Sequence, residues 1–449
     1  MASNIEQFAS NFNFGTLGKA TELKKRIWFT LAALVVYRIG TYIPVPGIDP
    51  VILDDIFQQN AGGILSMFDM FAGGALSRMT IFALNIMPYI SASIIMQLMT
   101  AMSPQMEALK KEGEQGRVKI NQYTRYLTVI LATIQGYGLA VGLESMQGSA
   151  GSAVIDPGFF FRITTMITIV GGTMFLMWLG EQITSRGVGN GISLIITAGI
   201  VAELPRAFAS TFELGRTGAL STAMLLLVLF LIIAVITFIV YMERAQRRLL
   251  VQYPKRQVGA SRMTGGQTSH LPLKLNTSGV IPPIFASSLL LLPLTLVGFA
   301  GASADPDGVL AQISQFLQHG SIAYMALYGA LVAFFAFFYT AIVFNPKETS
   351  DNLKQQGGFI PGIRPGTHTA DYLDHVLTRI TVLGAAYLVF ICLLPEFLMA
   401  KYQLPFYFGG TSLLIVVTVT MDTVAQIQSH LIAYQYEGLI KKSRLRSRR

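Results

Sequence analysis

The chain predicts an all-α polytopic membrane protein with ten transmembrane helices, and three observations predict it. Hydrophobic residues make up 52% of the 449 residues and charged residues only 13%, about half the charged share of an ordinary soluble domain. The apolar residues are gathered into blocks of roughly 20, the length that crosses a hydrocarbon core. Basic residues fill every second gap between the blocks: 27 of the 33 Lys and Arg fall at the N-terminus, in the gaps near 103–125, 181–187, 243–274 and 345–379, or in the C-terminal tail. The other gaps carry mostly acids, among them Asp49, Asp54, Asp55, Glu144, Asp156, Asp305 and Asp307. Lys and Arg of short loops stay on the cytoplasmic side, so the alternation predicts two cytoplasmic termini and an even number of spans.

Residues 1–26 read as a cytoplasmic interfacial segment ending in Lys24-Lys25-Arg26. They hold neither an apolar run nor a small-residue cleavage site, so span one is expected to be an uncleaved anchor. Spans are predicted near 27–43, 79–101, 126–143, 163–180, 188–204, 219–242, 279–301, 322–344, 380–398 and 411–433. Met224–Val240 and Ala330–Phe344 carry the strongest signal; 188–204, with Asn190, Ser193 and Thr197, carries the weakest.

After Pro44, Pro46 and Pro50 of the first outer loop comes an apolar stretch, Ile64–Leu76. It is too short to span and too apolar for an exposed loop, which suggests a re-entrant or interfacial piece. Backbone that stops at membrane depth must be covered by protein or line a wet cavity. The alternative is an amphipathic helix resting on the outer leaflet. Gly73-Gly74 then allows a sharp turn into span two. Pro88, Gly171-Gly172, Pro282-Pro283 and Pro293 are expected to bend or break their spans.

Two cytoplasmic gaps are long. Residues 243–274 set Arg244, Arg247, Arg248, Lys255, Arg256, Arg262 and Lys274 against Glu243, and their Tyr, Val and Leu content predicts a strand or hairpin. Residues 345–379 hold Lys347, Lys354, Arg364 and Arg379 around the turn-rich Pro361–Gly366. Residues 434–449 form a basic cytoplasmic tail. The net charge of +9 thus lies on one face, which suits anionic lipid heads, acidic protein or RNA. Spans one to five (27–204) and six to ten (205–433) would run in opposite senses, compatible with an inverted repeat.

Ionisable groups inside spans are costly and therefore informative. Here Arg38 lies near the outer end of span one, Asp422 in the inner half of span ten, and Glu181 at the close of span four; no Asp/Glu/His relay appears. The five histidines have no metal-ligand spacing, and no phosphate-cradling Gly-Lys-Ser/Thr motif is present. The single Cys392 excludes an internal disulfide and a multi-cysteine metal site. No cofactor, metal or catalytic set is expected. A secondary transporter would need mid-span charge, and an intramembrane enzyme would need a catalytic pair. A passive conduit remains, closed by an apolar constriction that excludes water. Ile86 and Ile90 flank Pro88, and Ile284 follows Pro282-Pro283; isoleucine in a span more often meets lipid or packing than a pore.

Eight segments carry a more specific signal. Gly73–Arg78, Asn85–Ser93, Trp178–Thr184, Gly187–Ser193, His270–Lys274, Phe344–Thr349, Pro361–Gly366 and Pro405–Ser412 resemble, in order and along essentially the whole chain, the SecY family of bacterial translocase channel subunits. The resemblance implies two pseudo-symmetric five-helix halves, a clamshell around an hourglass pore. The family's pore ring maps to Ile86, Ile90, Ile192, Ile196, Ile284 and Ile415. Its plug corresponds to about 64–78, with Met67, Phe68, Phe71, Gly73 and Gly74. Its lateral gate suggests Ser91, Ser287, Ser288 and Leu292.

The same resemblance implies a central role in a SecYEG channel. Unfolded secretory proteins would pass across the cytoplasmic membrane, and apolar signal sequences would leave sideways because lipid favours them. SecE, SecG, the SecA motor ATPase and the ribosome (rRNA and tunnel-exit proteins) are the implied partners, with SecDF, YidC and membrane lipids beside them. Arg247, Arg248, Lys255, Arg256 and Arg364 would contact SecA or the ribosome. Where some relatives keep a basic pair after Gly259, this chain has Ala260-Ser261, so its contacts at the loop tip are expected to differ.

Overall fold

The computed structural model describes residues 21–59, 69, 72–145, 147–148, 151–217, 221–253, 256–257, 263–264, 268–300, 321–402 and 410–446. The side chains of 54, 58–59, 145, 147–148, 214, 256–257, 263–264, 291–300, 399–402 and 435–446 lie outside that description. Thirteen helices are described: α1 Thr21–Gly40, α2 Pro50–Gln59, α3 Met87–Met102, α4 Pro104–Lys111, α5 Glu114–Ser145, α6 Phe159–Arg186, α7 Gly191–Arg216, α8 Thr222–Arg244, α9 Ile281–Ala300, α10 Ile322–Val343, α11 Pro346–Gln355, α12 Thr367–Tyr402 and α13 Gly410–Arg446. Short antiparallel pairs join β1 Gln147–Gly148 to β2 Gly151–Ser152, and β4 Arg256–Gln257 to β5 Met263–Thr264. A longer hairpin pairs β3 Gln246–Gln252 with β6 Thr268–Lys274 over seven residues.

Each of the ten apolar blocks lies on a helix. Among the described residues seven helices are long and apolar enough to cross a membrane, in α5, α6, α7, α8, α10, α12 and α13. The 20-residue α1, the 16-residue α3 and α9, apolar over its part Ile281–Leu290, account for the other three blocks.

The helix breakers behave differently from expectation. Span two begins as helix only at Met87; the chain before it turns repeatedly, with positive φ at Met79 (42°) and Asn85 (49°). Pro88 is therefore the second residue of α3, where its missing N–H is no loss and its fixed φ favours the helix. Pro282 and Pro283 likewise occupy the second and third positions of α9. These prolines start helices rather than bend them. Pro293 lies in the part of α9 whose side chains are outside the description. Gly171-Gly172 do not interrupt α6; a Cβ at Gly172 would collide with the carbonyl oxygen of Ile81, so the missing side chain permits a close backbone approach.

The chain divides into two compact units. The first holds residues up to Tyr89, Arg125–Arg206 and Ile415–Arg449. Within it α1 packs on α6, and the outer loops are stitched by the Ile48–Val154 bridge and by Asp49 N–H donating to Ala153 O at 3.0 Å. The last helix is tied in by Gly189 N–H donating to Gln426 Oε1 at 2.9 Å and by a cluster of Leu23, Val188 and Leu431.

The second unit holds Ile90–Thr124 and Ala207–Leu414. Within it α9 packs on α10, and α10 on α12. The segment 345–379 is not a loop throughout: α11 follows Asn345, whose side chain caps it by accepting from Lys347 N–H at 3.1 Å, and α12 begins at Thr367. The 243–274 hairpin and this segment share one apolar core of Leu249, Leu273, Ile360, Leu373, Val376 and Ile380. Strand alternation explains it, since Leu249 and Val251 turn inward while Arg248 and Leu250 stay exposed. Gln252 and Phe359 exchange two backbone hydrogen bonds at 2.9 Å each, stapling the hairpin to the second segment.

Candidate functional site

The six mapped isoleucines each stand near the start of a helix. Ile86 immediately precedes α3 and Ile90 lies in its first turn; Ile192 and Ile196 begin α7, Ile284 is the fourth residue of α9, and Ile415 the sixth of α13. All six stand at N-terminal helix ends. Ile192 and Ile196, four apart, share a helix face. Asn190 places that face by capping α7, its Oδ1 accepting from Ile192 N–H at 3.1 Å. Ile86, Ile90, Ile196 and Ile415 are buried, while Ile192 and Ile284 are half-buried. Ile86, Ile192, Ile196 and Ile415 belong to the first unit, Ile90 and Ile284 to the second.

Of the plug residues, Met67, Phe68 and Phe71 lie outside the described residues. Gly73 and Gly74 are described, and the backbone from there to Arg78 is densely bonded. Asp69 Oδ1 accepts from Leu76 N–H at 2.9 Å and from Ser77 N–H at 2.7 Å. Arg38 Nη1 donates to Gly73 O at 2.8 Å, and its Nη2 donates to the Tyr42 hydroxyl at 3.1 Å. The Tyr42 ring lies between two guanidiniums, Arg38 at 5.0 Å and Arg78 at 4.4 Å. Arg78 in turn sits 3.8 Å from Glu203 of α7. Burial pushes the Asp69 carboxyl above the ordinary carboxylate range, against the pull of its backbone donors. Arg38 is visible in the sequence as a span charge. Glu203 does not stand out there, and only packing shows that both meet the Gly73–Arg78 segment.

The gate candidates Ser91, Ser287 and Ser288 are buried. Ser287 Oγ donates back to Ile284 O at 2.9 Å, the usual habit of a helical serine. The Leu292 side chain lies outside the described residues.

On the β3–β6 hairpin Arg247 and Arg248 are exposed, opposite Leu273 and Pro272 in register. Arg364 is exposed on a pinned loop: Thr369 Oγ1 donates to Arg364 O at 2.9 Å and Ser350 Oγ donates to Gly366 O at 2.7 Å. The shared core therefore packs the hairpin against the segment that carries the Arg364 loop. Lys255 lies outside the described residues, and Arg256 is described only as backbone of β4.

Span charges also differ from the sequence reading. Glu181 pairs with Arg125 at 2.6 Å, Asp422 is exposed, and Glu396, inside the block 380–398, is buried at 6% exposure. Its place between Pro395 and Phe397 in an apolar run was the available signal. Among the described residues no group of three or more His, Cys, Asp or Glu is placed to hold a metal ion.

Known proteins resemble the chain along most of its length. The SecY family profile matches residues 80–424. The chain is 56% identical over 426 residues to the protein translocase subunit SecY of Rickettsia conorii, covering 95% of this chain and 98% of that one. In fold it is similar to a solved protein-conducting channel, with a TM-score of 0.67 at 19% identity over 90% of this chain and 92% of the other. It is also similar in fold to Sec61 in a canine ribosome–channel complex from the endoplasmic reticulum, with a TM-score of 0.60 at 18% identity over the same shares. A profile match over more than half of the chain, and a relative of this identity spanning nearly all of it, place the chain in the SecY family, to which it belongs.

Proposed function

We propose that this chain is the channel-forming subunit of a bacterial SecYEG translocase, passing unfolded secretory proteins across the cytoplasmic membrane and releasing transmembrane segments sideways into the bilayer. The observation that carries the reading is the set of six isoleucines, every one retained and every one at the N-terminal end of a helix. A collar of branched aliphatic side chains fits round a passing chain, excludes water when idle and grips no side chain strongly. The plug is residues 64–78, and Ser91, Ser287, Ser288 and Leu292 line the lateral gate. Helices one to five in 27–204 and six to ten in 205–433 form the two halves, with residues 1–26 and 434–449 cytoplasmic.

The chain is a conduit rather than an enzyme, and its energy comes from partners. SecE clamps the halves and SecG lies at the periphery. SecA or a ribosome docks on Arg247, Arg248, Lys255, Arg256 and Arg364, and the ribosomal share of that docking is charge-led and weakens with salt. The shared core and the exposed arginines beside it support this assignment. The chain resides in the bacterial cytoplasmic membrane with both termini inside.

The test is ion conductance of this chain with SecE in planar bilayers, intact and lacking residues 64–76. A silent intact channel that leaks after the deletion supports the conduit. Silence in both, with uptake of a small solute into vesicles, overturns it.

A further inference from the structure

Among the described residues, the connection between the cytoplasmic hairpin and α9 holds buried polar groups that no conduit role accounts for. The β3–β6 ladder ends at the pair Gln246–Lys274, and Leu275 N–H then donates to Ala245 O at 2.9 Å, closing the hairpin base directly against the end of α8. The next residue, Asn276, is 4% exposed. Its Nδ2 donates to Glu243 Oε1 of α8 at 2.6 Å and to Gly279 O at 3.0 Å, and its Oδ1 accepts from Ser278 Oγ at 3.0 Å. Glu243 is itself 8% exposed. Two residues after Gly279, α9 begins. The hairpin base is thus bolted at once to the end of α8 and to the start of α9, where Ile284, Ser287 and Ser288 stand.

A third helix meets this junction. At Gly384 of α12 a Cβ would lie 2.6 Å from Leu275 O, so α12 backs the connection closely. One turn along α12, the Tyr387 hydroxyl is buried without a hydrogen-bond partner, near enough for the Glu243 carboxylate to act on it electrostatically. A buried carboxylate is expensive to keep in a fold where apolar packing would serve. A buried hydroxyl left without a partner calls for an explanation such as a second arrangement in which it is satisfied.

We propose that Glu243, Asn276 and Tyr387 form a two-position joint that positions the gate helix α9. In the arrangement seen here Glu243 holds Asn276; when a partner displaces the hairpin, the carboxylate passes to the Tyr387 hydroxyl and Asn276 carries the start of α9 with it. The three are positioning residues and touch no substrate. The inference rests on the reading of the hairpin as the docking site and of α9 as a gate helix. Coupling of this kind needs a two-state element that both sites bias, and a carboxylate with two alternative donors is one.

The test uses the SecYEG complex in proteoliposomes, with Leu289→Cys in a Cys392→Ser background carrying an environment-sensitive dye on α9, and purified SecA as the docking probe. SecA affinity and the dye response are read separately. Tyr387→Phe should bind SecA as the parent does, within twofold, while its dye response falls at least threefold; deletion of a hydroxyl with no partner leaves packing intact. Asn276→Ala should move the dye toward its docked value before SecA is added. Glu243→Gln, which keeps an acceptor for both donors, should respond as the parent does, and Tyr387→Phe carries the test if Asn276→Ala does not assemble. A parental response in Tyr387→Phe, or shifts of the same sign in Tyr387→Phe and Asn276→Ala, overturns the joint. A parent that binds SecA without any dye shift overturns the joint alone. A parent hairpin that does not bind SecA overturns the docking reading and the joint together.

Discussion

Arg38 of α1 donates through Nη1 to the carbonyl oxygen of Gly73 at 2.8 Å, fastening the backbone that leaves the proposed plug to α1. The donor is charged, and the Tyr42 ring holds its guanidinium in place. Hydrogen bonds to charged groups are worth about 1.5–3 kcal/mol. Replacing Arg38 by Leu should therefore raise the idle ion leak by on the order of tenfold, measured in planar bilayers with SecE. A variant as silent as the parent would show that Arg38 does not hold the plug.

Gly73 itself has φ +66°, and a Cβ there would lie 2.8 Å from Gly199 Cα. Both features oppose any side chain. Gly73→Ala should destabilise the first unit by at least about 1–2 kcal/mol from the left-handed backbone alone, seen as earlier thermal unfolding of the purified complex. An unchanged unfolding temperature would refute the close approach.

Asp69 should give the proposed plug segment a pH dependence. Its carboxyl is raised above the ordinary value of 3.8, chiefly by burial. A raised carboxyl means that the folded segment binds more protons than the unfolded chain. The segment is then most stable below 3.8 and loses stability as pH rises through the raised value. Idle leak should fall on acidification in the parent and stay flat in Asp69→Asn, which keeps an oxygen for Leu76 and Ser77 N–H. Equal pH profiles of conductance would sink the idea.

Leu373 is fully buried in the core shared by the hairpin and the Arg364 segment. Leu373→Ala should cost about 2–5 kcal/mol in that shared core. SecA or ribosome binding should weaken and protease sensitivity of 243–274 should increase, while membrane insertion persists. Loss of insertion instead would mean that the core does not fold separately from the spans.

One substitution tests the proposed collar. Ile86→Asn puts an amide among branched aliphatics at a site 1% exposed, and dewetting fails once a polar group offers hydrogen bonds. Idle conductance should appear in Ile86→Asn and not in Ile86→Val. Two silent variants would remove Ile86 from the ring.

Membrane helices are unusually legible because lipid leaves few alternatives. Every backbone group in hydrocarbon must be satisfied within its own segment, so 20-residue apolar blocks become helices wherever they occur. The ten blocks were readable for that reason, and the hairpin at 243–274 from its Tyr, Val and Leu content. Helix starts were less so: Pro88 and Pro282-Pro283 look like breaks within apolar runs, and only the turns ending at Ile86 and Val280 show that the helices begin there. The extension of α12 back to Thr367 was hidden because its cytoplasmic end buries residues against the hairpin rather than against lipid.

By itself the sequence determined the number of spans and, through its motifs, the family. These depend on hydropathy, on basic loop residues and on short local patterns, all of which survive without coordinates. Only the tertiary structure decided which polar groups meet: Arg38 with Gly73, Glu243 with Asn276, Glu181 with Arg125. It also decided that the two long basic gaps share one core, and that the six isoleucines stand at helix starts. Such pairings join residues 33 to 56 positions apart, and no local rule of spacing encodes them. They follow from helix packing, which sets buried polar groups beside one another where an unpaired one would be costly.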